Sequence, residues 1–214
     1  MRLDHISYAS THDQIIDVIQ RLGATLSGTF LDGGIHPRFG TRNFILPLKH
    51  KKYLEIVCPI EHPAADSSPF GKIVLKKANE GGGWLSWVVS TDEITKFEKK
   101  LNRNSIVGHR KRPDGGELKW KQIGVTDTYN DAQLPFFIEW ESTDHPSLDG
   151  VATCSIIEIE IAGNENEIID WIGNDLTEVG EGVEFKFVNQ NSNEGISGIV
   201  AVTIDSPNGP VRIE

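Results

Sequence analysis

At 214 residues, with 38% hydrophobic and 24% charged side chains, the chain is long enough to bury a core and ordinary in composition for a globular protein. A formal net charge of −10 argues against nucleic acid and anionic membrane surfaces as partners, since both need basic patches that displace counterions. Two cysteines, Cys58 and Cys154, are too few for a disulfide framework. The start Met1-Arg2-Leu3-Asp4-His5 lacks the apolar stretch of a signal peptide, and no window approaches the ~18 uninterrupted apolar residues of a membrane span. These features set the expectation of a cytoplasmic protein with reduced, buried thiols.

In chain order, a strand-like run, Leu3 to Ser10, precedes an amphipathic helix. Thr11 caps it with Gln14 three residues on, Ile15, Ile16, Val18, Ile19 and Leu22 form its apolar face, and Gly23 ends it. Three further strand-like runs follow, over 24–31, 41–47 and 52–57, with Asp32-Gly33-Gly34 as a turn. A helix is expected over 69–79, and Gly81-Gly82-Gly83 then reads as a lead-in to the next strand, too short and isolated for a phosphate loop. The pattern starts again with a strand over 84–89, a helix opened by Ser90 and Glu93, and strands over 105–111, 117–125 and 134–140. A third round has a strand over 155–162, a helix opened by Asn164 and Glu167, and strands over 183–188, 196–204 and 210–214.

The order strand–helix–strand–strand–strand thus recurs three times, over roughly 1–58, 83–142 and 153–214. The closing strands share an ending in Tyr53-Leu54-Glu55, Phe137-Ile138-Glu139 and Arg212-Ile213-Glu214. The fold class read from this is α+β, with three repeated βαβββ modules. Two of them form a curved mixed-sheet cup over 1–146, joined by a helical connector over 59–82. The third, 153–214, either covers a sheet edge or pairs with its equivalent in another chain, which makes a homodimer the expected assembly.

A histidine on the first strand of a module beside a carboxylate on its last strand would point into such a cup from neighbouring strands, near enough to share a divalent ion. His5, Glu55 and Glu139 are the candidates, although solvated glutamates on strands and hydrogen-bonded structural histidines are common. His36 is expected in a loop at the mouth of the cup. There, with Arg38, it would contact an anionic or carbonyl-bearing substrate that Asn43 orients, or else tie the loop down. Trp84, Trp87, Trp120, Phe136, Phe137 and Trp140 supply either pocket walls or core. The basic stretch His109-Arg110-Lys111-Arg112, followed by Pro113-Asp114-Gly115-Gly116, reads as a hairpin flanked by solvated charges. No nucleophile elbow, P-loop or dinucleotide fingerprint is present.

Leu3-Asp4-His5-Ile6-Ser7-Tyr8-Ala9 resembles the opening strand of vicinal oxygen chelate proteins, which include glyoxalase I, extradiol dioxygenases and bleomycin-resistance proteins. Several further stretches resemble the glyoxalase-like domain family in particular. They are His36 to Asn43 with Tyr53-Leu54-Glu55-Ile56, and Arg112-Pro113-Asp114-Gly115 with Trp120 and Pro135 to Trp140; the resemblance covers about 1–146. It implies metal ligands at His5, Glu55 and Glu139, holding zinc, nickel, manganese or iron. Leu85 or Ser86 stands at the fourth position, and neither replaces an imidazole. Glu139 and His36 are the expected catalytic residues, and Arg38, Asn43, Trp120 and Trp140 the expected substrate contacts. The activity it implies is a lyase, isomerase or dioxygenase acting on a small oxygenated molecule. Set against this are a sequestering protein without metal or turnover, and, more weakly, a structural or regulatory dimer.

Overall fold

The computed structural model describes all 214 residues. Period-two alternation sorts the first sheet into an inner and an outer face. On β1 (Arg2–Ala9), β4 (Lys52–Pro59), β5 (Gly83–Ser90) and β8 (Phe136–Trp140), one set of side chains joins an outer core that includes Leu3, Ile6, Leu54, Ile56, Trp87 and Phe137. The other set, including Ala9, Val57, Val88, Phe136 and Ile138, forms an inner core. With β2 (Leu31–His36), β3 (Thr41–Leu48), β6 (Ile106–Lys111) and β7 (Glu117–Ile123), these strands close a barrel in the order β1-β4-β3-β2-β6-β7-β8-β5. Closure removes the open edges expected of a cup.

Between β4 and β5 run α2 (Pro63–Ser67) and α3 (Pro69–Asn79), the latter at the bounds the sequence predicts. Ser68 caps α3 by accepting from the Gly71 backbone N–H at 3.0 Å, and Pro69 follows at the first helical position. The helix presses Phe70, Ile73 and Val74 into the inner core, and each such buried side chain is worth about 1.5–3 kcal/mol.

Several local expectations shift. Helix α1 (Ile15–Leu26) begins after Gln14, which makes no side-chain cap bond, so Thr11 is not its cap. The helix runs on through Gly23, because burying Leu22 and Leu26 outweighs the roughly 1 kcal/mol an interior glycine costs. Ser27, left-handed at φ 50°, ends it. The next strand therefore starts only at Leu31, and Asp32-Gly33-Gly34 lies inside β2 rather than in a turn. Helix α4 (Ile94–Leu101) forms without a Ser90–Glu93 box. Thr91 Oγ1 accepts from the Glu93 N–H, and Glu139 Oε2 accepts from the Ile94 N–H. A short helix, α5 (Val125–Asn130), interrupts the run between β7 and β8.

The final third has β9 (Ser155–Ala162), α6 (Glu165–Ile172), α7 (Leu176–Gly180), β10 (Glu184–Val188), β11 (Gly198–Ser206) and β12 (Gly209–Ile213). Asn164 caps α6, and Gly173 at φ 74° breaks it from α7, where the sequence suggested one helix. The element order matches the first two modules but the pairing does not. In the barrel the first strand of each module pairs in parallel with the last, β1 with β4 and β5 with β8. In the second sheet, of order β10-β9-β11-β12, the first strand instead pairs in parallel with the second. The threefold repeat is thus one of element order and not of sheet topology. This sheet buries its apolar face on the outside of the barrel. Ile159, Ile161 and Val202 share the outer core with Leu3 and Trp87, and Trp84 Nε1 donates to the Ile213 carbonyl at 3.0 Å. No helix is long and apolar enough to cross a membrane.

Candidate functional site

The inner face of the barrel is not apolar throughout. Between the α3 end and the segment after β8, polar side chains from several strands line a narrow cavity: His5 from β1, His36 from β2, Asn43 from β3, Glu55 from β4 and Arg110 from β6. Phe70, Trp120, Phe136, Trp140 and Tyr53 wall it. About 30 Å³ of it is open to the centre of a water-sized sphere, room for about two waters at the roughly 10–15 Å³ each requires.

Each polar group is held by a neighbour. His5 Nδ1 bonds Asp4 Oδ1 at 2.8 Å, and the ring stacks on Tyr53 with centroids 4.3 Å apart. Glu55 accepts from Ser7 Oγ at 2.6 Å and from Asn43 Nδ2 at 2.7 Å. His36 Nδ1 lies 2.9 Å from Thr41 Oγ1. The Trp120 indole donates to Gln122 Oε1 at 2.7 Å, and that of Trp140 to Asp4 Oδ2 at 3.2 Å. Asp4, with no exposed surface, also meets His145 Nε2 at 3.1 Å and Arg2 at 3.1 Å.

Charge states follow from these contacts. Burial pushes the His36 imidazole down to about 4, so it is neutral near pH 7. Burial works to raise the Asp4 carboxyl, but the hydrogen bonds and charges of His145 and His5 outweigh it and hold the group well below the usual range. Glu55 behaves alike. Burial opposes its ionisation, yet the neighbouring His5 and His36 imidazoles and the bonds from Ser7 and Asn43 keep it below its ordinary value. Burial, Asp4 and Glu55 together raise the Tyr53 hydroxyl far above its ordinary value, so it stays protonated.

The structure gathers some candidates and separates others. His5, His36, Asn43, Glu55, Trp120 and Trp140 all line the cavity. His36 does so as the last residue of β2, buried to 4% exposure, and not from a loop at the rim. Arg38 does not join them; it is exposed in the β2–β3 turn. Glu139 does not join them either. Its carboxylate faces outward, bonded to the Ile94 N–H at 3.0 Å and 3.9 Å from Lys121 Nζ, while Ile138 and Trp140 face in. The likeness of Tyr53-Leu54-Glu55 to Phe137-Ile138-Glu139 is off by one residue, and one residue turns a side chain to the opposite face. The pair His5–Tyr53 on β1 and β4 matches Val88–Phe136 on β5 and β8. Val88, and neither Leu85 nor Ser86, then stands where His5 stands, and Ile138 stands where Glu55 stands.

A divalent ion does not fit this donor set. With Glu139 on the outer face, no three His, Cys, Asp or Glu side chains lie close enough together to hold a metal. Both Glu55 oxygens are already engaged by protein donors.

Sequence reading missed Tyr53, Arg110 and Gln122, which line the cavity, and Asp4, which holds His5 from behind. Asp4 was masked by its place beside His5, where alternation sends neighbours to opposite faces. Arg110 was read as solvated, yet β6 alternation turns it inward to 2% exposure. The signal was present: in His109-Arg110-Lys111-Arg112 every second residue of a strand shares a face.

The sequence matches the glyoxalase-like domain family model over residues 3–176. The chain belongs to the glyoxalase-like domain family. No curated protein matches it. Among solved structures, a hypothetical protein from Staphylococcus aureus superposes with TM-score 0.72 at 16% identity, covering 100% of this chain and 98% of that one. That likeness shows that both sheets of this glyoxalase-like chain form a fold already seen in a crystal. Methylmalonyl-CoA epimerases, members of the vicinal oxygen chelate superfamily, also appear among the neighbours. The Mycobacterium tuberculosis enzyme has TM-score 0.44 at 12% identity, covering 67% of this chain and 89% of that one. The Streptomyces coelicolor enzyme in complex with 2-nitronate-propionyl-CoA has TM-score 0.42 at 15% identity, covering 67% and 99%.

Proposed function

We propose that the barrel cavity binds a small oxygenated molecule and that His5 moves a proton at a carbon beside its carbonyl group, without a metal. The observation that carries this reading is the Asp4–His5 pair at 2.8 Å inside an aromatic-walled barrel. Asp4 engages Nδ1 and leaves Nε2 with no protein partner, the arrangement that orients an imidazole as a base and stabilises its charged form. Glu55, held ionised by the bonds from Ser7 and Asn43, is a weak base and serves to balance the imidazolium charge. In the step proposed, His5 Nε2 takes the proton of the C–H bond. The bonding pair moves into the new C=C bond, and the carbonyl pair moves onto oxygen. The step uses the His36 tautomer in which Nδ1, 2.9 Å from Thr41 Oγ1, accepts from that hydroxyl, so that Nε2 carries the proton and donates it as a hydrogen bond to that oxygen. Return of the proton from His5 completes an isomerisation or exchange.

The test is proton exchange at the carbon beside the carbonyl of small oxo compounds, followed by NMR in deuterated water. The expected result is protein-dependent exchange that falls at least ~100-fold in His5→Gln, the scale of a lost general base. Binding in the cavity without any exchange supports the second reading, a sequestering protein.

A further inference from the structure

Two buried polar atoms on the cavity wall have no partner, and together they describe the ligand. Arg110 Nε, on a side chain 2% exposed, makes no hydrogen bond, and neither does Asn43 Oδ1. Gly33 holds the backbone of β2 against both groups: a Cβ there would lie 2.2 Å from Asn43 Oδ1 and 3.0 Å from Arg110 Nη1. The one carboxylate bonded to Arg110 is shared. Asp149 accepts from Arg110 Nη2 at 3.0 Å with one oxygen and from Arg112 Nη2 at 2.6 Å with the other. Two guanidinium groups thus share one bonded carboxylate, and Glu55, the other carboxylate acting on Arg110, makes no hydrogen bond to it. A free donor on a cation, beside a free acceptor, suits an anion that also carries a hydroxyl or enol proton.

We propose that the cavity takes a short-chain acid with a hydroxyl, or a carbonyl that enolises, on the carbon next to its carboxylate. The carboxylate accepts from Arg110 Nε, and the neighbouring hydroxyl or enol donates to Asn43 Oδ1. This rests on the small-molecule reading above and narrows it to a substrate class. The Glu55 carboxylate repels an anion at its own end, so the acid group seats toward Arg110 and the carbon chain runs toward His5. The cavity is narrow, about 30 Å³ open to the centres of water-sized spheres, which restricts the ligand to the smallest acids of this class.

The test titrates the full-length protein with pyruvate and lactate, and with their neutral isosteres pyruvamide and lactamide. Dissociation constants and the Arg110 Nε–H signal are followed by NMR. The expected result is at least ~10-fold tighter binding of the acids, with the Arg110 signal moving. Arg110→Gln should bring acid and amide to parity, and Asp149→Asn should tighten the acids severalfold by freeing the guanidinium. The second variant decides the matter if the first does not fold. Equal binding of acid and amide by the wild type, with shifts at His5 and His36, overturns the acid class and leaves the small-molecule reading standing. Acid binding unchanged or weakened in Asp149→Asn also overturns the acid class. No shift at any cavity residue with any of the four probes overturns both.

Discussion

Asp4 and His5 are adjacent on β1, yet their side chains are bonded to each other, Asp4 Oδ1 to His5 Nδ1 at 2.8 Å. Neighbours on a regular strand point to opposite faces. Here the register of β1 against β5 slips between Leu3 and His5, and this bulge lets the two side chains meet. From that position Asp4 also reaches His145 and Trp140, so one buried carboxylate ties the cavity histidine to the segment that follows β8.

Asp4→Ala should therefore cost far more than an ordinary substitution. It leaves His5, His145 and the Trp140 indole without their shared acceptor in a site closed to solvent, a loss of about 3 kcal/mol. Urea unfolding should show the midpoint falling accordingly. A change below about 0.5 kcal/mol would mean that the carboxylate does not organise these groups.

Glu139→Ala should behave as a helix-end change. The carboxylate accepts from the first N–H of α4, and losing it should lower stability by about 0.5–1 kcal/mol. Ligand binding in the cavity should stay within about twofold of wild type. Abolished binding in this variant would contradict the outward placement.

Stability should rise with pH between about 4 and 6.5 because of His36. Its folded-state value, about 4, lies below the ordinary 6.5, so across that window the unfolded chain binds more protons and acid favours unfolding. The gap amounts to roughly 3 kcal/mol at about 1.4 kcal/mol per pH decade. Asp4 and Glu55, both held below their ordinary values, add a further loss at lower pH, as they are protonated. Denaturant midpoints measured across pH 4–7 should show the slope, and His36→Gln should flatten it. An unchanged slope in the variant would place the titrating group elsewhere.

Gly33→Ala should damage the site more than the fold. The added methyl would sit 2.2 Å from Asn43 Oδ1, forcing Asn43 away from Glu55. A cost of about 1–3 kcal/mol is expected in thermal unfolding, with loss of ligand binding. A variant that binds as wild type would show that Asn43 is not fixed by this contact.

The module pattern was legible because it is written in local chemistry. Periodic apolar residues, the Asn164 cap and the Pro69 helix start each act within a few residues of sequence. His5 and Glu55 were legible because each sits on a strand whose inner face the pattern reveals. Glu139 was misplaced because register is set by pairing with distant strands, and one residue of slip turns a cavity group into a cap on α4. The pairing of the last four strands was equally hidden: the sequence orders the elements, but the outer face of the barrel decides which edges meet. Asp4 needed a bulge that arises only when β1 and β5 pair.

His5 and His36 line one cavity from neighbouring parts of the barrel, and a ligand seated there meets both rings. Nitrogen NMR of the protein labelled in its seven histidines, titrated with pyruvate, tests this most directly. The ring nitrogens of His5 and His36 should shift in parallel with one dissociation constant, while exposed His12, His50 and His62 stay still. Shifts confined to those exposed histidines, or movement of His5 without His36, would contradict it.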